Sequence, residues 1–590
     1  MEKSFTFTLP RTLCRATEFA ARAFTLMFCA VAIVTIAEAE TQVPVSFSGV
    51  SLAQQLEELA QSAWPPSPSG AIGPKHFLTM QNQSVGIFTR DGVLVKHVRL
   101  RDFLRVSMNG VTYQASFDPR VLFDAHAQRW VAACVANGYG TTALNDPVIL
   151  AVSKTSDPTK AWSQFVLPVG EMDQGSDFKS TAGLTLGLDD NGIYLGVRIV
   201  PTESAAFCKI IALPKATLLK GKLGSVTQFS NLGGIVDSPV PAQNYDTIVG
   251  STPAYVAGSI VGAGAHVRLW KISWNGIVPS LSGAMDVATD SFGAVPDAAQ
   301  SGSALPVETG DERIQNVVVR NGSLWTARSI GVNGSGGSGA VDRAACEWFQ
   351  INVEAQTPAL LQSGRIFDPG VAPRFYFQPT ICANMRGDML LTFSGTRSSE
   401  FIGAYFASRL DGDPANTTTT AQTLHAGETT YEKTVGGGLM PWGRHGAVSI
   451  DPVNDLSFWA VAPHAALTSQ SNSWGTRIAR VNLTIPPGVA KVRPLTLNFG
   501  KVLVGRSRTK AFTITSAGLE PLLGVVNQPA SPYAVTVGDG PFNLSKGKKV
   551  KVSVTFTPIS AGAAPPATLD IPVNDTTQSV ISINLVGTGR

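Results

Sequence analysis

Arginines beside carboxylates and tyrosines recur at corresponding places along this chain, and they are its clearest chemical signal. Just ahead of successive apolar repeats stand Asp118 and Arg120, Asp177, Tyr245 and Asp246, Glu312 and Arg313, Tyr376 and Gln378, and Arg444 with His445. A guanidinium pairs with a carboxylate through two parallel hydrogen bonds, so arginines gathered at one place would suit an acidic glycan or another anion. A tyrosine or aspartate beside them could act as base or nucleophile in glycoside cleavage or elimination. Arg120, Asp177, Tyr245, Arg313, Tyr376, Arg444 and His445 are therefore the candidate ligand-binding residues, with no catalytic residue assigned. The same side chains would equally serve to pair across neighbouring repeats, a structural role that Asp118, Arg120 and Asp124 fit best.

Other chemistries find less support. The seven histidines are scattered singly, with no H-x-H or H-E-x-x-H, so neither a metal site nor a cofactor is expected. Asp189-Asp190-Asn191-Gly192 resembles half of a calcium loop but lacks the later ligands, which favours a plain hairpin turn. No G-x-S-x-G offers a nucleophile elbow. The run Lys546-Gly547-Lys548-Lys549-Val550-Lys551 suits contact with an anionic envelope surface, or simply a solvated loop leading into a strand. No nucleic-acid-binding motif accompanies it.

The elements that must position these residues are strands. With 57 Gly, 37 Pro and 15% charged residues in 590, the chain is neither disordered nor coiled-coil. An apolar run, a polar turn and a second apolar run recur as AIGPKHFLTM, VLFDAHAQRWVAA, LTLGLDDNGIYLGV, TIVGSTPAYVAG, NVVVRNGSLWTA, ICANMRGDMLLTF and AVSIDPVNDLSFWAVA. Aligning Leu78, Trp130, Tyr194, Tyr255, Trp325, Leu390 and Trp459 gives spacings of 52, 64, 61, 70, 65 and 69. Two strand pairs in each interval make a four-stranded sheet that cannot cover both its faces alone. Radial packing about an axis covers them, so residues 71–486 are expected to form a β-propeller of seven blades. Six or eight blades stay open, because the first copy is the least regular; two stacked sandwiches are the other architecture weighed. Ahead of the ring, residues 40–70 read as a short helix from Ser51 to about Ala63 and a Pro-rich spacer.

From 487 to 590 the pattern changes to strict alternation, in LTLNFGKVLVG, KAFTITSAG, KVKVSVTFTP and SVISINLVGTG, the signature of an immunoglobulin-like sandwich. Eleven Lys and Arg stand here against four Asp and Glu, while the rest of the mature chain is mildly acidic. Residues 1–39 read as an export signal: Lys3, Arg11, Arg15 and Arg22 precede an apolar run, and Ala37-Glu38-Ala39 offers a cleavage site before Glu40. Export leaves Cys134, Cys208, Cys346 and Cys382, which permit two disulfides or four small buried thiols. No later stretch approaches the roughly 20 apolar residues of a membrane span.

Two resemblances arise from these residues. Leu497-Asn498-Phe499-Gly500 with Val502, Val504-Gly505, Phe512-Thr513-Ile514 and Val554-Thr555-Phe556-Thr557-Pro558 resembles the ASPM–SPD-2–Hydin (ASH), or choice-of-anchor-D, group of immunoglobulin-like domains. That resemblance implies an accessory or interaction module. Ala71-Ile72-Gly73-Pro74-Lys75-His76-Phe77, Phe117-Asp118-Pro119-Arg120-Val121-Leu122-Phe123-Asp124 with Arg129-Trp130, and Val152-Ser153-Lys154-Thr155-Ser156-Asp157-Pro158 are similar to secreted bacterial propellers of unassigned role. They carry no catalytic residues to transfer, and the S-x-D-x-G-x-T-W box of sialidases is missing. The expectation is an exported, non-catalytic protein, periplasmic, cell-surface or secreted, that binds a protein or polysaccharide. The alternative is a glycoside hydrolase or polysaccharide lyase acting on an acidic glycan at the channel mouth. An enzyme would require Arg120, Asp177, Arg313, Tyr376 and Arg444 to converge with unpaired side chains on one cavity.

Overall fold

A computed structural model describes residues 41–590 except 140–145, 170–178, 202–204, 231, 233–238, 248–251, 260–264, 435–439, 444–445, 484–488, 519–520, 546 and 576–577. The expected export signal, Asp177, Arg444, His445 and Lys546 lie outside the described residues.

The second strand of each repeat is the most deeply buried part of the chain. Ser323–Val332 and Phe458–Ala465 are buried at every position, because both faces of each sheet are covered by neighbouring sheets. That double burial is why these strands read as continuous apolar runs and not as alternating ones. The aligned residues fall on seven such strands: Leu78, Trp130, Tyr194, Tyr255, Trp325, Leu390 and Trp459.

Around them the described residues form seven antiparallel sheets. Blade 1 runs from inside to outside through Ser69–Ile72, His76–Gln81, Ser84–Thr89 and Leu94–Arg99. Blade 2 does so through Val111–Asp124, Arg129–Tyr139, Val148–Ser153 and Trp162–Leu167, and blade 3 through Lys179–Leu188, Gly192–Pro201, Phe207–Pro214 and Thr227–Phe229. In blade 4, Val240–Pro241 pairs with Ala254–Gly258 and then His266–Asn275. Blade 5 comprises Val317–Arg320, Ser323–Val332, Arg343–Asn352 and Ala359–Ile366; blade 6 comprises Phe375–Ala383, Met389–Arg397, Glu400–Arg409 and Gln422–His425. Blade 7 takes Ala447–Ile450, Phe458–Ala465 and Trp474–Asn482 from late in the sequence. Innermost strands abut in chain order, and that of blade 7 abuts that of blade 1. The result is a closed seven-bladed β-propeller.

The outermost strand of blade 7 comes from the other end of the chain. Gln42–Ser48 pairs antiparallel with Trp474–Asn482, matching Val45 to Arg480 and Phe47 to Ile478. This corrects the reading of residues 40–70 as helix and spacer alone. The helix itself spans Leu52–Leu59, with the Ser51 hydroxyl accepting from the Gln54 N–H at 3.2 Å. It rests on blade 1, where Ser84 Oγ donates to Gln55 Oε1 at 2.8 Å and Arg99 Nε donates to the Leu59 carbonyl at 2.9 Å.

Among the described residues the C-terminal strands build three further sheets: one ordered Ala490–Arg493, Arg508–Ser516, Lys549–Phe556, Tyr533–Val537, one joining Thr496–Val502 in parallel to Val580–Gly589, and a two-stranded one of Leu522–Val526 and Gly540–Leu544. Their inward residues, including Phe499, Phe512, Ile514, Val554, Phe556, Ile581 and Ile583, form one core. Strand 580–589 alternates exposed and buried positions almost throughout, as a strand with one wet face must. Cys134, Cys208, Cys346 and Cys382 are buried in four different blades, with no disulfide joining them.

Ring closure by the N-terminal strand makes a quantitative prediction. Phe47 is half-buried and packs on Phe88 of blade 1 at 5.5 Å between ring centroids. Phe47→Ala is expected to cost about 2 kcal/mol, below the roughly 3–5 of a fully buried phenylalanine, read as a lowered urea midpoint.

Candidate functional site at the channel mouth

The innermost strand of a blade has one edge that its own sheet leaves uncovered, and backbone groups there need partners. Each blade supplies them to the next. Ser449 Oγ accepts from the Ile72 N–H at 3.2 Å, and Ser69 Oγ accepts from the Val121 N–H at 3.0 Å. Arg120 Nε donates to the Leu184 carbonyl at 2.7 Å, and Thr185 Oγ1 donates to the Pro239 carbonyl at 2.6 Å. Gln243 and Asn244 join Val318 and Val319 in a short parallel ladder. Asn316 bonds both backbone groups of Ile381, at 2.7 and 3.0 Å, and Gln378 Nε2 donates to the Gly443 carbonyl. These contacts link every adjacent pair of blades around the axis. The channel they surround is narrow, with Val121, Leu186, Val317 and Val448 among its walls.

A second cleft adjoins the channel where the inner strands begin, sharing Gln315 with it. Two segments that precede blades 5 and 7 meet beside it, Val307–Glu308 pairing in parallel with Met440–Pro441. Glu308, Asp311, Arg313, Gln315, Ser329 and Gln378 line it, along with Pro65 from the N-terminal segment. Arg313 lies in bidentate contact with Asp311, its Nε 2.7 Å from Oδ1. The cleft's lining thus mixes charged and polar side chains with Pro65, Pro379 and Pro441.

The sequence candidates separate. Arg313 faces this cleft, and Arg120 lines the channel wall while holding the next blade. Tyr245 does not stand at the mouth. The inner strand of blade 4 ends at Asn244, so Tyr245 follows it and lies at the opposite end of the channel. There its carbonyl accepts from Arg320 Nη1 at 2.9 Å, and its hydroxyl lies 3.5 Å from the Ile450 N–H. Tyr376 is buried between rings in blade 6, with Phe393 at 5.1 Å and Tyr405 at 5.7 Å. Burial pushes both phenols above their ordinary value, which disfavours either as a base or nucleophile. Asp177, Arg444 and His445 lie outside the described residues. Sequence reasoning misses Glu308, Asp311 and Ser329; the parallel pairing that places Glu308 joins segments more than 130 residues apart and leaves no local pattern.

Several other carboxylates shape turns. Asp124 Oδ1 accepts from the N–H groups of His126 and Ala127, and Oδ2 meets Lys215 Nζ of blade 3 at 2.8 Å in a buried pair. Asp189 accepts from the N–H groups of Asn191 and Gly192 and from the Tyr194 hydroxyl, so the half-loop is a hairpin turn. Asp451 accepts from the Val453 N–H and from Trp459 Nε1, and it meets Arg90 of blade 1.

A family model described as "ASH: Abnormal spindle-like microcephaly-assoc'd, ASPM-SPD-2-Hydin" matches residues 484–581, so the C-terminal sandwich is an ASH domain. Among solved structures, the ASH / PapD-like domain of human CEP192 is 14% identical, covering 18% of this chain and 87% of that one, with a TM-score of 0.16. The WD40 domain of SCAP from fission yeast is 9% identical, covering 92% and 98%, with a TM-score of 0.29. A subtype N10 neuraminidase-like protein of A/little yellow-shouldered bat/Guatemala/060/2010 is 10% identical, covering 61% and 100%, with a TM-score of 0.31. The propeller assignment rests on the strand pairing described above and not on these likenesses. No curated protein matches the chain.

The surroundings of Tyr376 yield a pH prediction. Arg374 donates to Tyr376 Oη at 3.2 Å and to both oxygens of Glu400, at 2.8 and 2.7 Å. Burial alone would raise the Glu400 carboxyl, but the hydrogen bonds and charges of Arg374 and Arg397 hold it below its ordinary 4.5. A depressed folded value stabilises the protein above the unfolded value and is lost as pH falls through the folded one. Native protein should therefore exceed Glu400→Gln by about 1 kcal/mol at pH 6, and urea titrations should show that margin shrinking below about pH 4.5.

Proposed function

We propose that the protein is an exported, non-catalytic binding protein, its propeller taking a protein or polysaccharide at the channel mouth. One observation carries this reading: the described candidates do not converge on one cavity. Arg120 grips the Leu184 carbonyl, Arg313 is paired with Asp311, and neither Tyr245 nor Tyr376 lines the mouth cleft. What the cleft offers instead is a polar rim of Glu308, the Asp311–Arg313 pair and Gln315. Such a rim can recognise hydroxyls, amides or charges without bond cleavage.

Export is supported by the basic and apolar pattern of residues 1–39, and cleavage before Glu40 would leave the closing strand Gln42–Ser48 whole. The ASH domain would provide a second contact. Lys548, Lys549 and Lys551 are exposed on it, suited to an anionic envelope surface.

The test is an array of acidic and neutral polysaccharides probed with mature protein, residues 40–590, scoring both retention and released oligosaccharides. Retention without products, weakened at least tenfold in Arg313→Ala, is the expected result. Released fragments that vanish in Arg313→Ala would overturn the reading in favour of a hydrolase or lyase.

A further inference from the structure

Two histidines that the sequence separates by 39 positions meet at the junction of blades 6 and 7. His425 ends the outermost strand of blade 6, and His464 lies in the second strand of blade 7. Their ring centroids are 4.1 Å apart with the planes inclined at 65°. Glu428, three residues beyond His425, joins them. Its Oε1 is 3.0 Å from His425 Nε2, its backbone N–H donates to the Ala465 carbonyl at 2.8 Å, and its Oε2 accepts from the Leu467 N–H at 2.9 Å. A ring nitrogen from each histidine and a carboxylate oxygen of Glu428 all lie within 4.8 Å of one another. Among the described residues this is the one such grouping of three metal-ligating side chains.

A second observation is independent of that clustering. His464 is only 4% exposed, yet its Nδ1 is buried with no hydrogen-bond partner. An imidazole nitrogen left unsatisfied in a protein interior is costly and calls for an explanation. The backbone also makes room for this ring: a Cβ at Gly475, its partner on the adjoining strand, would stand 2.9 Å from His464 Nε2.

We propose that His425, Glu428 and His464 bind a divalent first-row transition ion, with zinc the expected occupant. Two imidazoles and one carboxylate suit zinc or its neighbours, whereas calcium and magnesium call for oxygen ligands throughout. Ligand atoms of a tetrahedral zinc stand about 3.3 Å apart, given bonds near 2.0–2.1 Å. The cluster therefore needs only side-chain adjustment of an ångström or so. Three protein ligands leave a fourth position for water. The side chains of His425 and Glu428, 27% and 40% exposed, give an ion access from solvent. The Leu467 N–H already orients the carboxylate, as outer partners of metal ligands do. The ion would tie the edge of blade 6 to the blade that the N-terminal strand completes.

The test uses tag-free mature protein stripped with a chelator and titrated with cobalt(II), then with zinc against a chromophoric chelator. One ion per chain and a visible cobalt band of tetrahedral intensity are expected, and zinc should raise the melting temperature by several degrees. His425→Ala and Glu428→Gln should each weaken zinc binding about 100-fold and abolish the thermal shift, whereas His266→Ala should change neither. His464 is buried and its replacement could unfold the blade, so the two surface ligands decide the outcome. Failure to retain either ion, or binding unchanged in both variants, would overturn the proposal.

Discussion

Seven sheets arranged about an axis leave seven strand edges facing a channel, and the fold depends on satisfying them. The protein does so with side chains borrowed from the neighbouring blade: Ser449, Ser69, Arg120, Thr185, Asn316 and Gln378, together with one stretch of parallel ladder at Gln243–Asn244. A hydrogen bond contributes only about 1 kcal/mol net, yet a buried backbone group left without one costs more. The set therefore decides whether neighbouring blades stay in register. Ring closure adds the same logic at the outer rim, where Gln42–Ser48 covers the last edge of blade 7.

This constraint governs what remains available for function. Arg120 and Gln378 look like recognition residues in the sequence, but each is occupied in holding the next blade. Charged pairs at the far ends of the inner strands are similarly committed, with Lys215 reaching across to Asp124 and Arg90 to Asp451. The mouth cleft escapes that commitment because the segments before blades 5 and 7 extend past the ring and pair with each other. On the proposed reading, recognition would sit in insertions carried by the frame, the usual division of labour between scaffold and loops.

The blades are legible in the sequence because their second strands are buried on both faces and so write long apolar runs with one large residue each. Trp130, Trp325 and Trp459 mark those strands plainly. Blade 4 is harder to read. Its inner strand is only Val240–Pro241 and Gln243–Asn244, too short to write an apolar run, so the repeat's first run is read from Thr247, after that strand has ended, and Tyr245 is put at the wrong end of the channel. QVPVSFS escapes notice for a different reason. Its partner strand lies more than 400 residues away, and pairing over that distance has no local signature. The same holds for His425 and His464, which no spacing rule connects and which only the packing of blade 6 against blade 7 brings together.

The frame depends on the ring being closed by its own N-terminus. Val45 faces Arg480 across the closing pair, so the double variant Val45→Cys/Arg480→Cys treated with a short bis-maleimide tests it directly. Mass spectrometry of the digested monomer should find residues 45 and 480 joined within one chain, with neither single variant giving that product. Linkage found only between chains, or none at all in folded protein, would contradict the closure and with it the frame on which the mouth is built.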